Sequence, residues 1–388
     1  MRFFSFGLLI GGGALLGHLY LYYRLVRPAV RDRRWRRALG GLLAGMTLLL
    51  VFRGPLRELG GGFARTHSIV TYGWMALAIS MIAWTAAGDA LRLAARLAAR
   101  VARSRADEPP DPDRRRFLSQ ALHVGVAAGG ALTASYGVYR AFTPPEITEI
   151  AVRVPKLPPT LDGLSIVQLT DVHVGPFIRR EFIDQLVREA NALRPDLVAI
   201  TGDLVDGDVA LLGSSVLGLR NLRSRFGTFF VTGNHEYYSG DAEWAHFLER
   251  IGIRVLRNRR VSIGDAGGSL DLAGVDDWSG GRRRGRPGYD LDAALAGRDP
   301  DRALVLLAHQ PANFEVAAAR GVDLQISGHT HGGQIFPVTL VVDLAFEHTR
   351  GLYREGGAHL YVSRGCGFWG PPARVGSPPE IVKIVLTT

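Results

Sequence analysis

The apolar residues of this chain follow two different patterns. Residues 1–142 contain long apolar runs, whereas residues 143–388 contain short runs separated by amphipathic stretches. A helix that crosses a bilayer needs roughly 20 apolar residues, while a buried strand needs only about 4–8. The pattern therefore predicts an all-α membrane region of about four helices over residues 1–142, followed by a soluble α/β domain.

Four segments are candidate membrane spans, near residues 3–23, 38–52, 69–91 and 117–142. The second is shorter than a usual span and is followed at once by Arg53. It fits either a helix that spans a locally thinned bilayer or a re-entrant segment.

Arginine is concentrated in two clusters between these segments. They occupy residues 24–37 and 92–116, whereas residues 53–68 contain only three arginines, and the chain as a whole has a formal net charge of +10. Loops rich in arginine stay in the cytoplasm. We therefore expect an integral protein of a bacterial-type plasma membrane with its C-terminal domain outside the cytoplasm, and no nucleic acid as a partner.

The segment at 117–142 directly follows Arg114-Arg115-Arg116-Phe117-Leu118. These residues resemble a twin-arginine export signal. They are equally typical of a positive flank that keeps the preceding loop inside. Both interpretations stay open, and both place the C-terminal domain outside.

Prolines separate the two parts of the chain. They cluster at Pro144-Pro145 and between Pro155 and Pro159, which predicts a stiff proline-rich linker over residues 143–160 and a folded domain over 161–388. Strand candidates within that domain are Leu164–Thr170, Leu197–Thr201, Gly227–Thr232, Leu270–Val275, Ala303–Ala308, Asp323–Ser327, Leu360–Ser363 and Ile381–Leu386. Helices are predicted at Glu181–Leu193, Leu211–Ser224 and Ala242–Arg250, which favours two mixed sheets packed together and flanked by helices.

Metal-ligating residue types follow five of these strands. They are Asp171 and His173, then Asp203, then Asn234 and His235, then His309, and finally His329 and His331. Ligands in α/β folds bind beyond the carboxyl ends of strands, so the five loops are expected to converge. Carboxylate and imidazole groups suit Mn, Fe or Zn rather than Ca. Cys366 is the only cysteine, which excludes a cysteine metal cluster.

The order Asp-x-His, Gly-Asp, Gly-Asn-His-Glu, His and Gly-His-x-His resembles the calcineurin-like metallophosphoesterase superfamily, over residues 160–388. With the apolar N-terminal region, the chain is most similar to the transmembrane metallophosphoesterase branch. The resemblance implies a two-sheet metallophosphoesterase sandwich with two divalent metal ions. One ion would be held by Asp171, His173, Asp203 and His331, and the other by Asp203, Asn234, His309 and His329. His235 would be the catalytic histidine.

The resemblance implies a metal-dependent hydrolase of phosphodiesters or phosphomonoesters that acts by two-metal activation of water. Because a membrane tether concentrates the domain near lipid, we expect a phospholipid, a lipid-linked or an envelope substrate. One alternative is a UDP-2,3-diacylglucosamine pyrophosphatase of lipid A synthesis, although its nucleotide-sugar substrate is cytoplasmic. Another is a catalytically inactive membrane sensor or scaffold, which the complete ligand set disfavours.

Several residues keep two interpretations each. Glu236 either orients His235 or caps the following helix, and Asp206 either supports the metal site or forms a turn. Asp276 and Asp277 lie either at the rim of the site or in a turn. The arginines of segment 280–288 either bind an anion or are exposed to solvent. Phe368 and Trp369 either contact the substrate or pack within the domain. Cys366 is expected to be buried and inert.

Overall fold

The computed structural model describes residues 2–52, 61–103, 111–278, 280 and 288–388. Parts of the predicted loops (53–60 and 104–110) and the basic segment 281–287 lie outside the described residues. The chain divides into two compact units. We call Met1–Tyr139 with Gly370–Ala373 the helical unit, and Arg140–Trp369 with Arg374–Thr388 the sheet unit.

The helical unit is built mainly from long α-helices. They are α1 (Arg2–Leu21), α2 (Arg33–Val51), α3 (Gly61–Arg103) and α4 (Pro112–Phe142), and α1 is followed by a π-helical segment, Tyr22–Val26, and a short turn, Arg27–Ala29. Two of the described helices are long and apolar enough to cross a membrane, within Gly62–Arg100 and Arg116–Phe142. The spans predicted near 69–91 and 117–142 lie within them. Those near 3–23 and 38–52 fall in α1 and α2 and stay predictions.

Polar side chains join the helices of this unit. The indole N–H of Trp74 donates to His18 Nε2 at 2.9 Å, so His18 Nδ1 carries the ring proton and donates to Thr47 Oγ1 at 2.6 Å. Asp89 accepts two hydrogen bonds from the guanidinium of Arg24, at 2.7 and 2.5 Å. These contacts give hydrogen-bond partners to polar groups whose burial between apolar helices would otherwise cost free energy.

Two six-stranded mixed sheets form the sheet unit, within the residues described. The strands are β1 (Glu146–Arg153), β2 (Ser165–Leu169), β3 (Leu197–Ile200), β4 (Thr228–Phe230), β5 (Arg254–Val255), β6 (Arg259–Asp265), β7 (Gly268–Gly274), β8 (Leu304–Leu307), β9 (Leu324–Ser327), β10 (Gly351–Glu355), β11 (Ala358–Val362) and β12 (Glu380–Thr387). Their order is β1-β12-β2-β3-β4-β5 in one sheet and β10-β11-β9-β8-β7-β6 in the other. The predicted pair of mixed sheets is confirmed.

Apolar side chains from the two sheets meet in one core. Ile166 and Phe229 of the first sheet share this cluster with Leu272 and Val305 of the second. The helices of this unit, within the described residues, are α5 (Arg180–Ala192), α6 (Val209–Val216), α7 (Asn234–Ser239), α8 (Asp241–Arg250), α9 (Leu291–Leu295), α10 (Phe314–Ala319) and α11 (Val338–Ala345). The predicted helix at Leu211–Ser224 is shorter, because a 3₁₀ turn over Leu217–Asn221 replaces its second half.

The proline-rich linker prediction is wrong for residues 146–153, which form β1. Thr148, Ile150 and Val152 alternate inward, as the period of two in a strand requires. The proline clusters on both sides concealed this short alternating stretch. Strand β1 pairs in parallel with β12, which runs antiparallel to β2. Strand β1 therefore begins, at Glu146, on the side of the sheet where β2 ends.

Candidate metal centre

The residues predicted as metal ligands come together at one edge of the sheets. Strands β2, β3 and β4 are parallel neighbours, as are β8 and β9, so their carboxyl ends point the same way. Potential ligand atoms lie within 4.8 Å of one another in three groups: Asp171, His173 and His331; His173, Asp203 and His235; and Asp203, His309 and His329. Because His173 and Asp203 each belong to two groups, the three form one continuous cluster.

Unusual backbone conformations aim these side chains. Asp171, His173, Asp203, His329 and His331 all have positive φ, between 50° and 75°. Each such conformation costs a non-glycine residue about 1–2 kcal/mol. It persists only where the surrounding structure enforces it, which is typical of functional sites. The strain supports a functional role for this edge.

His173 and His331 bring nitrogen atoms together beside Asp171. The two Nε2 atoms are 3.1 Å apart, and His331 Nε2 is 3.4 Å from Asp171 Oδ1. His173 Nδ1 lies 3.1 Å from a carboxylate oxygen of Asp206, so it carries the proton and leaves the lone pair on Nε2. Burial, followed by the guanidinium of Arg374, lowers the pKa of His331 and keeps its ring neutral.

A second set of potential ligand atoms surrounds Asp203. His309 Nδ1 donates to the carbonyl of Thr201 at 2.8 Å, so Nε2 is the nitrogen that faces Asp203. That atom is 3.1 Å from Asp203 Oδ2 and 3.3 Å from His329 Nδ1. A bound cation would stabilise nitrogen and carboxylate oxygen atoms that lie this close together.

Asn234 provides an independent test of whether this cluster fits a metal. Its side-chain oxygen is buried and has no hydrogen-bond partner among the described residues. A buried polar atom without a partner costs about 1–3 kcal/mol. Imidazole nitrogen, carboxylate and amide oxygen atoms together suit Mn, Fe or Zn. The residues present therefore fit divalent metal ions.

His235 lies at the rim of the cluster. Its Nδ1 is 2.6 Å from Asp206 Oδ1, and its backbone N–H donates to Asp203 Oδ1 at 2.9 Å. Burial lowers the pKa of His235, but the carboxylates of Asp203 and Asp206 outweigh that effect and raise it to about 9. A bound cation reduces this shift. Asp206 thus fixes the His235 ring and favours its protonated form.

Glu236 supports the loop of Asp203 and caps a helix. It is fully buried and accepts the backbone N–H groups of Gly233, Asp203 and Leu204 at 2.7–3.0 Å. The capping interpretation is therefore the right one, and Asp206 is the residue that contacts the ring of His235. The only hint of this role in the sequence was that Asp206 follows Asp203 three positions later.

The glycine-rich segment around Cys366 has mixed roles. Phe368 is buried and packs against Phe142, with ring centroids 5.3 Å apart, so it is a packing residue. The ring of Trp369 lies 5.9 Å from that of His235 and belongs to the site. Burial raises the pKa of Cys366 to about 12. A thiolate nucleophile is thereby excluded at this position, as expected.

Arg374 supports the site, and no pattern in the sequence predicted this role. It is fully buried, and its guanidinium donates to the carbonyls of His331 and Ser377 at 3.1 and 3.3 Å. These bonds hold the loop of His331. Asp276 is paired with Arg257 at 2.9 Å, which gives it a structural role.

The comparisons with known proteins agree with this geometry. Residues 164–333 match the family model for the calcineurin-like phosphoesterase domain. The chain is 40% identical over 288 residues to a Bos taurus protein described as a transmembrane protein with a metallophosphoesterase domain, an alignment that covers 71% of this chain and 64% of that protein. It is 34% identical to a Danio rerio protein of the same description, over 98% and 89% of the two chains.

A bacterial relative is equally similar. An uncharacterized metallophosphoesterase of Helicobacter pylori is 39% identical, over 71% of this chain and 73% of that protein. The chain thus spans just under two thirds of its bovine relative and most of the fish and bacterial ones. It belongs to the calcineurin-like metallophosphoesterases, a family of hydrolases that use divalent metal ions.

Proposed function

We propose that this protein is a membrane-anchored phosphoesterase that hydrolyses phosphodiester or phosphomonoester bonds at a centre of two divalent metal ions. The observation that carries the proposal is the position of Asp203, which is shared by two of the three ligand groups. Asp171, His173, Asp203 and His331 would hold one ion. Asp203, Asn234, His309 and His329 would hold the other.

Two such ions supply Lewis acidity at the phosphoryl group and a water nucleophile at neutral pH. The chain itself prepares the ligands. Asp206 and the carbonyl of Thr201 each accept a hydrogen bond from the Nδ1–H of a histidine, and thereby turn the Nε2 atoms of His173 and His309 inward. Asp171 is held in place by the backbone N–H of His329, which donates to its carboxylate at 3.0 Å.

His235 would be the general acid for the leaving group. Asp206 accepts a hydrogen bond from its Nδ1–H, so Nε2 is the nitrogen able to give a proton to a departing alkoxide. The side chain is 14% exposed, so the ring is accessible from solvent. Proton donation matters most when the leaving oxygen is a strong base.

The membrane is the expected location of the substrate. Relatives of this chain are described as transmembrane proteins, and two of its described helices are long and apolar enough to span a bilayer. Our proposal places the protein in a bacterial-type plasma membrane with the metal centre outside the cytoplasm, because the arginine clusters favour that topology. Phospholipids and lipid-linked or envelope phosphoesters are the substrates that such an enzyme would encounter.

The test uses the full chain in detergent, stripped of metal and reloaded with Mn²⁺, Fe²⁺ or Zn²⁺. Wild-type protein should hydrolyse bis(p-nitrophenyl) phosphate or p-nitrophenyl phosphate, and Asp203→Asn should abolish that activity. Asp208→Asn is the matched control, because Asp208 caps α6 and asparagine caps equally well. Wild-type protein that is inactive on both esters with every metal would overturn the proposal.

A further inference from the structure

Helix α11 exposes an apolar surface on the sheet unit. Leu340, Val341 and Leu344 are 53%, 62% and 90% exposed, whereas Thr339 on the opposite side is buried. Thr339 packs so closely on Gly333 that a Cβ atom there would collide with it. The helix therefore has one face fixed to the protein and one apolar face turned to the surroundings.

The polar contacts of α11 attach it to the loop that contains the proposed ligand His331, which we call the metal loop. Asp343 receives two hydrogen bonds from the guanidinium of Arg350, at 2.9 and 3.0 Å. Arg350 also donates to the carbonyl of Gly332 at 3.3 Å. Gly332 directly follows His331, so the helix is connected to the ligand loop by a short chain of hydrogen bonds.

Two aromatic residues extend the apolar face beyond the helix. Phe336 precedes α11 and Phe346 follows it, and they are 48% and 44% exposed. The ring of Phe346 lies 6.4 Å from the ring of His329. Single exposed leucines are common on protein surfaces, whereas a contiguous apolar surface of this kind marks an interaction site. We call Phe336, Leu340, Val341, Leu344 and Phe346 the apolar rim.

Strand β1 begins at the same end of the sheet as the proposed metal ligands. Glu146, the first residue of β1, pairs with Glu380 of β12, and β12 is antiparallel to β2. Three residues separate Glu146 from the end of the candidate span Arg116–Phe142. The four Cα-to-Cα steps from Phe142 to Glu146 reach at most about 14 Å. The connection between that helix and β1 is therefore short, and it joins the sheet at the end that carries the proposed metal ligands.

We propose that the apolar rim inserts into the interfacial layer of the lipid bilayer, and that the substrates are phosphoesters of membrane lipids. This inference rests on the proposed function. Interfacial helices bury their apolar face roughly 5–10 Å into the boundary between headgroups and acyl chains. The phosphate of a membrane lipid lies at that boundary, so an inserted rim brings this class of ester to the adjoining metal loop.

Insertion is measured directly with a dye on α11. Cys366, the only cysteine of the chain, is buried, so Leu344→Cys labels selectively with an environment-sensitive nitrobenzoxadiazole group. The full chain is reconstituted into vesicles of phosphatidylglycerol and phosphatidylethanolamine. Emission at position 344 should shift to the blue and be quenched by doxyl-labelled lipid, whereas label at Leu211→Cys, on helix α6, should remain water-like. Water-like, unquenched emission at both positions overturns the inference.

A matched pair of substitutions tests the substrate class. Leu340 and Leu211 are the third residues of two eight-residue helices, and both are exposed. Leu340→Asp should lower the ratio of phosphatidylglycerol hydrolysis in vesicles to bis(p-nitrophenyl) phosphate hydrolysis about tenfold or more, the factor expected from the burial of one leucine. Leu211→Asp should leave that ratio unchanged, and Leu344→Phe should preserve it.

Failure of the proposed function and failure of the lipid inference give different results. Absence of hydrolysis of the vesicle lipid and of both nitrophenyl esters by the wild type, loaded in turn with Mn²⁺, Fe²⁺ and Zn²⁺, overturns the proposed function. Hydrolysis of the soluble diester without attack on the vesicles, or with equal ratios in Leu340→Asp and wild type, overturns only the lipid inference.

Discussion

The carboxylate of Asp206 lies 2.6 Å from Nδ1 of His235, at the rim of the metal centre. The same oxygen lies 3.1 Å from Nδ1 of His173, a proposed metal ligand. One carboxylate therefore sets the orientation and the proton position of both rings, and joins the proposed general acid to a proposed metal ligand.

Replacement of Asp206 should affect both functions at once. In Asp206→Asn the two histidines lose their shared acceptor, so activity and metal affinity should each fall by roughly 10–100-fold, the usual effect of residues that orient metal ligands. Turnover and metal titration measure the two effects. A loss of activity with unchanged metal affinity would restrict the role of Asp206 to His235.

Replacement of His235 should separate chemistry from metal binding. His235→Ala should retain its metal content while losing roughly 10²–10⁴ in turnover of esters with alkoxide leaving groups, the usual scale of general acid catalysis. Hydrolysis of nitrophenyl esters should change little, because nitrophenolate leaves without a proton. An equal loss for all leaving groups would instead indicate a role in substrate binding.

Metal binding should stabilise the fold independently of activity. Added Mn²⁺ at 100 times its Kd should raise the free energy of unfolding by about 2.7 kcal/mol, because the metal binds the folded state. Asp203→Asn should show a much smaller increase in Tm, since Asp203 serves both ligand groups. A full metal-induced Tm shift in this variant would contradict the assignment of Asp203 as the shared ligand.

Glu380 should make the protein sensitive to acid. Burial raises its pKa, but the hydrogen bonds from Arg364, at 2.6 and 3.0 Å, outweigh burial and hold it below the ordinary 4.5. A depressed pKa in the folded state contributes stability above pH 4.5, and that contribution is lost as pH falls through the folded value. Glu380→Gln should therefore be less stable at pH 7 and lose less Tm on acidification.

The expected size of this effect is about 1.5–3 kcal/mol at pH 7, the usual contribution of a hydrogen bond to a charged group. Thermal unfolding of the full chain between pH 3.5 and 7 measures it. Glu149→Gln is the control, because the carboxylate of Glu149 is 58% exposed and its pair with Lys383 is 3.4 Å long. Identical pH profiles for wild type and Glu380→Gln would refute the prediction.

The catalytic domain should lie outside the cytoplasm. A fluorescent protein that matures only in the cytoplasm, fused after Thr388, should be dark, and alkaline phosphatase fused there should be active. The physical reason is the cost of translocating the two arginine clusters. Bright fluorescence would reverse the topology and favour the nucleotide-sugar pyrophosphatase of lipid A synthesis as the alternative function.

The sequence predicted those parts of the fold in which local pattern and packing agree. Strands such as β3 and β8 are continuous apolar runs buried between layers, and polar residues directly after them mark the site edge. Strand β1 was missed because it is half exposed and flanked by prolines, so its period of two was weak. The membrane region depends on hydropathy alone, and the spans predicted within α1 and α2 stay predictions.

Supporting residues were harder to predict than the proposed ligands. Arg374 acts through carbonyl groups of loops that are distant in sequence, and a single arginine among prolines has no pattern. The apolar rim was not predicted either, since a short run from Val338 to Ala345 is as typical of a buried helix as of an exposed one. Only the three-dimensional arrangement shows which side is covered.

The pairing of β1 with β12 has a consequence for how the protein is made. The strand nearest the tether is synthesised before every other strand, yet its partner is synthesised after all of them. During translation β1 must therefore wait without its neighbour, and sheet closure is delayed until β12 has emerged. Such distant pairing slows folding and exposes an unpaired edge to aggregation. This domain is expected to fold late and to depend on chaperones at the surface where it emerges.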